Sequence, residues 1–133
     1  DILSSCIFCK NIQPTNILAE SQHFFAVLDI DPIQEGHILL ISKKHYLTLL
    51  EIPDNVLLDL FSFEKKIIHL LENEFHVLGV SVLQNNGATM DEGTHFHVHL
   101  VPRYKNDDFW DSQYVSKIPL DLYLLKHKLN QLN

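Results

Sequence analysis

The chain has 133 residues, 46% hydrophobic and 20% charged, which is the make-up of one soluble globular domain spanning residues 1–133; this excludes a two-domain enzyme and any need for a disulfide framework. Seventeen acidic residues against ten basic ones give a formal charge of −7, with Arg103 the only arginine and no basic run longer than Lys43–Lys44, so nucleic acid is excluded as a partner. No apolar run reaches the roughly 18 residues of a membrane span, and the opening residues lack the basic-then-apolar pattern of a signal peptide, so a cytoplasmic protein without membrane contact is expected.

Near the start stands Cys6-Ile7-Phe8-Cys9, which reads equally as a redox pair, half of a metal site or two ordinary thiols. Two apolar runs follow, His23–Asp29 and Gly36–Ser42, parted by the turn-like Asp31-Pro32-Ile33-Gln34-Glu35. They predict an antiparallel hairpin with a loop of about six residues. From Pro53 to about Phe75, apolar residues at Val56, Leu57, Leu60, Phe61, Ile67, Ile68, Leu71 and Phe75 recur at helical spacing, with Pro53 and Asp54 suited to a first turn. Val77–Leu83 and Thr94–Val101 read as two more strands around the polar loop Gln84–Gly93, the second ended by Pro102. A last helix is expected from Pro119 to about Leu132. The order strand, strand, helix, strand, strand, helix predicts an α+β domain, a mostly antiparallel sheet with one long helix on a face. The second helix or a partner subunit is then needed on the other face.

The densest chemical signal is Thr94-His95-Phe96-His97-Val98-His99-Leu100-Val101-Pro102-Arg103, three of the nine histidines of the chain. On a strand, alternation puts His95, His97 and His99 on one face and Phe96, Val98 and Leu100 on the other, in the core. A core gains nothing from a row of imidazoles, each of which needs a polar partner, so the row marks a site. Isolated histidines such as His69, His76 and His127 carry no such signal. Two chemistries use a row of this kind: three zinc ligands around an open metal position, or an imidazole that attacks phosphorus while its neighbours stabilise charge on the non-bridging oxygens.

His95-Phe96-His97-Val98-His99-Leu100-Val101 resembles the signature of the histidine-triad superfamily, and Pro102-Arg103 is a frequent continuation. The resemblance extends to Cys6-Ile7-Phe8-Cys9-Lys10, to Leu28–Pro32 followed by Gly36–His45, and to Asn85-Asn86-Gly87, in the usual order, and points to the bacterial Hint-like branch. It implies a sheet of about five strands with one long and one C-terminal helix. It also implies hydrolysis or transfer of a nucleoside monophosphate from a phosphoramidate, a dinucleoside polyphosphate or a similar donor. In that scheme His97 attacks the α-phosphorus and forms a nucleotidyl-histidine that water resolves. His99 and His37 contact the phosphate oxygens, and His95 completes the catalytic set. Asp29, eight residues before His37, holds the ribose hydroxyls; Ile30 lines the base pocket; Asn85 donates to phosphate.

The same resemblance implies a structural zinc on Cys6, Cys9, His45 and His95, an AMP or GMP moiety as the bound nucleotide, and a homodimer. The chain departs from the family at Ala88–Thr94, where Asp91 and Glu92 stand in the region that commonly carries Gly-Gln-Ser/Thr. Two other readings follow from these residues: a zinc hydrolase with His95, His97 and His99 as ligands, and a purine-nucleotide-binding regulatory protein with little turnover.

Overall fold

The computed structural model describes residues 6–10 and 12–132. Five strands, β1 (Ala19–Glu20), β2 (Phe24–Leu28), β3 (Ile38–Ser42), β4 (Gly79–Gln84) and β5 (His97–Arg103), form one sheet in the order β1-β2-β3-β5-β4. Every pairing is antiparallel. The helices are the single turn α1 (Ile7–Lys10), the long α2 (Asp54–Glu74) and α3 (Leu122–Asn130). This is the expected α+β arrangement. Among the described residues no helix is long and apolar enough to cross a membrane.

The period-two pattern sorts the sheet into two faces. Phe24, Ala26, Leu40, Phe96, Val98 and Leu100 are buried with Val56, Leu60, Phe63, Ile67 and Leu71 of α2 in the main core. Each buried Val, Leu, Ile or Phe among them contributes on the order of 1.5–3 kcal/mol of burial free energy, so the helix face and sheet face hold each other in place. Of the apolar helix positions read from the sequence, Phe61 and Phe75 point outward instead, at 55% and 61% exposure.

The opposite face carries Val27, Leu39 and Ile41, packed by Phe8, Ile12 and Ile17 from the N-terminal segment. That segment, rather than the second helix, covers it: α3 is capped by the Asp121 side chain at Leu124 N–H but buries none of its residues. The register places His97 opposite Ile41 and His99 opposite Leu39, so the histidines share this second face. Because β5 lies between β3 and β4, its backbone is clamped from both sides.

Both boundaries of β5 differ from the expected ones. Strand β5 runs through Pro102 to Arg103, because β3 stops pairing at Ile38 opposite Leu100. Beyond that point only β4 lies alongside, with Val80 opposite Pro102, and a residue without an N–H is tolerated. At the other end β5 begins at His97, so Thr94, His95 and Phe96 precede the ladder. Strand β1, two exposed residues with no alternation to reveal it, was not legible in the sequence.

Candidate functional site

Each of the three alternating histidines has a different partner, and the partner decides which ring nitrogen carries hydrogen. His97 Nδ1 lies 2.7 Å from the carbonyl oxygen of His95. A carbonyl only accepts, so Nδ1 carries the hydrogen and the lone pair of a neutral ring is on Nε2. His95 is turned the other way: its Nε2 is 2.6 Å from the Ser42 carbonyl, which leaves the Nδ1 lone pair facing Cys6 Sγ at 3.2 Å and Cys9 Sγ at 3.5 Å. The third ring, His99, meets His37 Nε2 at 2.9 Å through its own Nδ1.

His37 is fully enclosed by the protein. Its Nδ1 accepts the Ile33 N–H at 3.0 Å, and its Nε2 is also 3.4 Å from Asp29 Oδ2. Asp29 Oδ2 is 3.9 Å from His99 Nδ1, while Oδ1 accepts the Asp31 N–H at 2.9 Å. Burial lowers the pKa of His37, with Asp29 pulling the other way and His97 adding to the fall. Burial likewise brings His99 down to about 4, helped by the neighbouring His97 and His37 and opposed by Asp29 and Asp91. Both rings are therefore neutral at pH 7, and a neutral row does not repel a neighbour that gains positive charge.

The second cluster lies at the N-terminal end of the same row. One donor atom each from Cys6, Cys9, His45 and His95 falls within 4.8 Å of the others. Tetrahedral zinc with ordinary Zn–S and Zn–N lengths places sulfur and nitrogen about 3.6 Å apart. The observed separations are 3.2 Å for Cys6–His95, 3.5 Å for Cys9–His95 and 3.1 Å for Cys9–His45, so the four groups fit zinc with a shift of a few tenths of an ångström. Both cysteines are free thiols, and Ser42 fixes the ring of His95 as a second partner should in a metal site. Two thiolates and two imidazoles would close a coordination sphere, so a metal held there would pin α1 to the sheet.

The structure thus brings His37, His97, His99 and Asp29 together, and separately Cys6, Cys9, His45 and His95. Among the described residues, His95, His97 and His99 do not make one ligand group. His37 has both nitrogens engaged within the protein, so its contact is with His99. Ile30 is 99% exposed in the single chain. Asn85 is exposed, while its neighbour Asn86 accepts the Leu49 N–H at 2.8 Å and ties the preceding loop down.

Four contributors escaped the sequence reading. The ring of Phe8 stands edge-on to His95 at 5.5 Å and to His97 at 5.0 Å; its place between the two cysteines was the signal for it. The other three, the Ser42 and His95 carbonyls and the Ile33 N–H, are backbone groups that no residue type announces.

A family model described as the HIT domain matches residues 10–106. The adenosine 5'-monophosphoramidase of Candida albicans is 40% identical over 108 residues, 75% of this chain and 71% of that protein. The protein hit of Bacillus subtilis is 36% identical over 110 residues, 79% of this chain and 76% of that protein. A zinc-bound histidine triad family protein of Mycobacterium smegmatis superposes with a TM-score of 0.68 at 28% identity, over 98% of this chain and 96% of that one. With His97 and His99 on β5, His95 just before it, and the family model spanning most of its length, the chain belongs to the histidine-triad (HIT) family.

Proposed function

We propose that the chain is a nucleotide hydrolase or transferase that releases a nucleoside monophosphate from a nucleoside 5'-phosphoramidate or a dinucleoside polyphosphate. The observation that carries this reading is the 2.7 Å contact between His97 Nδ1 and the His95 carbonyl. It aims the Nε2 lone pair outward, and as a bond to phosphorus forms there, the carbonyl stabilises the positive charge that grows on the ring.

In the first step His97 Nε2 bonds to the α-phosphorus while the bond from phosphorus to the leaving amine or phosphate breaks, and the leaving group takes up a proton. In the second step water attacks the same phosphorus, the P–Nε2 bond breaks, the monophosphate leaves and a proton is returned. His99 has Nδ1 occupied as an acceptor, so its Nε2–H is the donor to a non-bridging oxygen. His37 acts through His99, holding it in that form. Asp29 binds the ribose hydroxyls with a carboxylate that is 16% exposed, Ile30 meets the base, and Asn85 donates to phosphate from the loop after β4. The name of the Candida relative supports an AMP moiety among purine nucleotides. Zinc on Cys6, Cys9, His45 and His95 takes no part in these steps, a division that the fit of the four groups supports.

A homodimer belongs to this reading. Leu58, Phe61 and Leu70 of α2 and Val82 of β4 are exposed large apolar residues, a surface that a second copy would cover. Light scattering should give the mass of two chains. A reducing cytoplasm suits the two free thiols.

The test is to incubate the protein and its His97→Ala variant with adenosine 5'-phosphoramidate and, separately, a diadenosine polyphosphate, and to follow AMP. Release that disappears in the variant supports the reading. Binding of AMP without release above the variant's level replaces it with a nucleotide-binding role.

A further inference from the structure

The connection from β2 to β3 is shaped around a single main-chain contact. Asp31 N–H turns back to Asp29 Oδ1 at 2.9 Å, and His37 N–H closes a turn on the Gln34 carbonyl at 3.0 Å. Gly36 sits in that turn at φ +85°, a backbone conformation that side-chain-bearing residues rarely adopt. The result is that the Ile33 N–H points at His37 Nδ1, 3.0 Å away, on a residue only 2% exposed.

A buried ring that accepts at one nitrogen and stays neutral must carry its hydrogen on the other. His37 therefore presents Nε2–H to His99 Nδ1 at 2.9 Å and to Asp29 Oδ2 at 3.4 Å. His99, accepting at Nδ1, keeps its own hydrogen on Nε2. One amide thus sets the hydrogen positions of two imidazoles in series.

The same three side chains raise a second question. Asp29, His37 and His99 offer one donor atom each within 4.8 Å, two imidazoles and a carboxylate, a set attractive to divalent transition metals. A metal on His37 Nε2 needs a lone pair there, which moves the hydrogen to Nδ1, directly against the Ile33 N–H. Two donors would then face each other without an acceptor between them, one of them on a ring only 2% exposed, which costs the lost hydrogen bond and leaves that nitrogen unpaired.

We propose that the main-chain N–H of Ile33 is the positioning group that fixes which nitrogen of His37, and through it of His99, carries hydrogen, and that this bond keeps divalent transition metals out of the Asp29–His37–His99 cluster. Its consequence for turnover rests on the function proposed above; the hydrogen positions and the metal exclusion do not.

The test uses the full chain, zinc-loaded, with Ile33 replaced by its α-hydroxy acid so that an ester oxygen stands where the N–H was, and Ile33→Pro as a second variant. The Ile33 side chain is 58% exposed, so little packing changes. Long-range 1H–15N correlation spectra of the unmodified protein should show hydrogen on Nε2 of both His37 and His99, and cobalt titration should find no binding beyond the cysteine site. The variants should show mixed His37 forms, one additional cobalt equivalent displaced by AMP, and kcat about tenfold lower with KM little changed.

Hydrogen on Nδ1 of His37 in the unmodified protein overturns the proposal, as does any cobalt equivalent bound by that zinc-loaded protein. So does a variant that keeps the Nε2 form and binds no cobalt. If spectra and titration come out as expected while the unmodified protein releases no monophosphate, the proposed function fails and the role of Ile33 stands.

Discussion

His95, just before β5, and His97, at its start, are two residues apart, and they differ in which nitrogen is left free. The Ser42 carbonyl takes the Nε2–H of His95 and turns its Nδ1 to two sulfurs; the His95 carbonyl takes the Nδ1–H of His97 and turns its Nε2 outward. The first is thereby suited to ligate a metal and the second to act as a nucleophile. The comparison teaches that an imidazole's task in such a row is assigned by the backbone oxygen that claims its hydrogen, and that a sequence pattern of identical residues can encode different chemistries. His99 is a third case, in which a side chain, His37, makes the assignment.

Substitution should break the comparison most sharply at the nucleophile. His97→Ala should lower monophosphate release by at least about 1,000-fold, read by product chromatography, while zinc content stays near one per chain because none of the four ligands is touched. The reverse pattern is expected at the other cluster. Cys6→Ser should lose most bound zinc by elemental analysis and cost roughly 3 kcal/mol in denaturant unfolding, since α1 is no longer pinned to the sheet. Molecules that remain folded should still show release that depends on His97.

Acid tests the neutral state of the row. His99 has a folded pKa of about 4. Its unfolded value is about 6.5, so its contribution to stability is full above pH 6.5 and is lost as pH falls towards 4, at roughly 1.4 kcal/mol per pH unit. Unfolding midpoints at pH 7, 5.5 and 4.5 should decline accordingly, and His99→Asn should flatten the slope. Glu64, buried on the core face of α2, runs the opposite way and offers a control. Burial raises its pKa, so its contribution is present below the unfolded value and is lost as pH rises through the folded one. Glu64→Gln should raise stability at pH 8 by about 1 kcal/mol and leave it unchanged at pH 4, isolating the histidine slope.

Much of this was legible in the sequence, and the boundary of legibility is physical. Alternation from His95 to Leu100 put the histidines on one face and Phe96, Val98 and Leu100 in the core, because strand period alone determines sides. Apolar spacing similarly marked α2, whose buried residues Val56, Leu60, Ile67 and Leu71 lie one or two turns apart. What stayed hidden was set by backbone groups and by neighbours distant in sequence. The Ser42 and His95 carbonyls and the Ile33 N–H have no side-chain signature. Pro102 reads as a strand end unless it is known that β3 has already stopped beside it. Ile30 lies in a motif that suggests a pocket, yet it stands in solvent in the single chain, because the loop carries its neighbour Asp29 inward and not Ile30 itself.

The most direct test of the division between the two histidines is to trap the intermediate. The protein would be mixed with adenosine 5'-phosphoramidate, quenched in alkali within a turnover and digested, and the peptide carrying an AMP adduct fragmented in a mass spectrometer. The account predicts the adduct on His97 and on no other histidine. An adduct on His95 or His99, or rapid AMP release with no adduct at the shortest quench times, would contradict it.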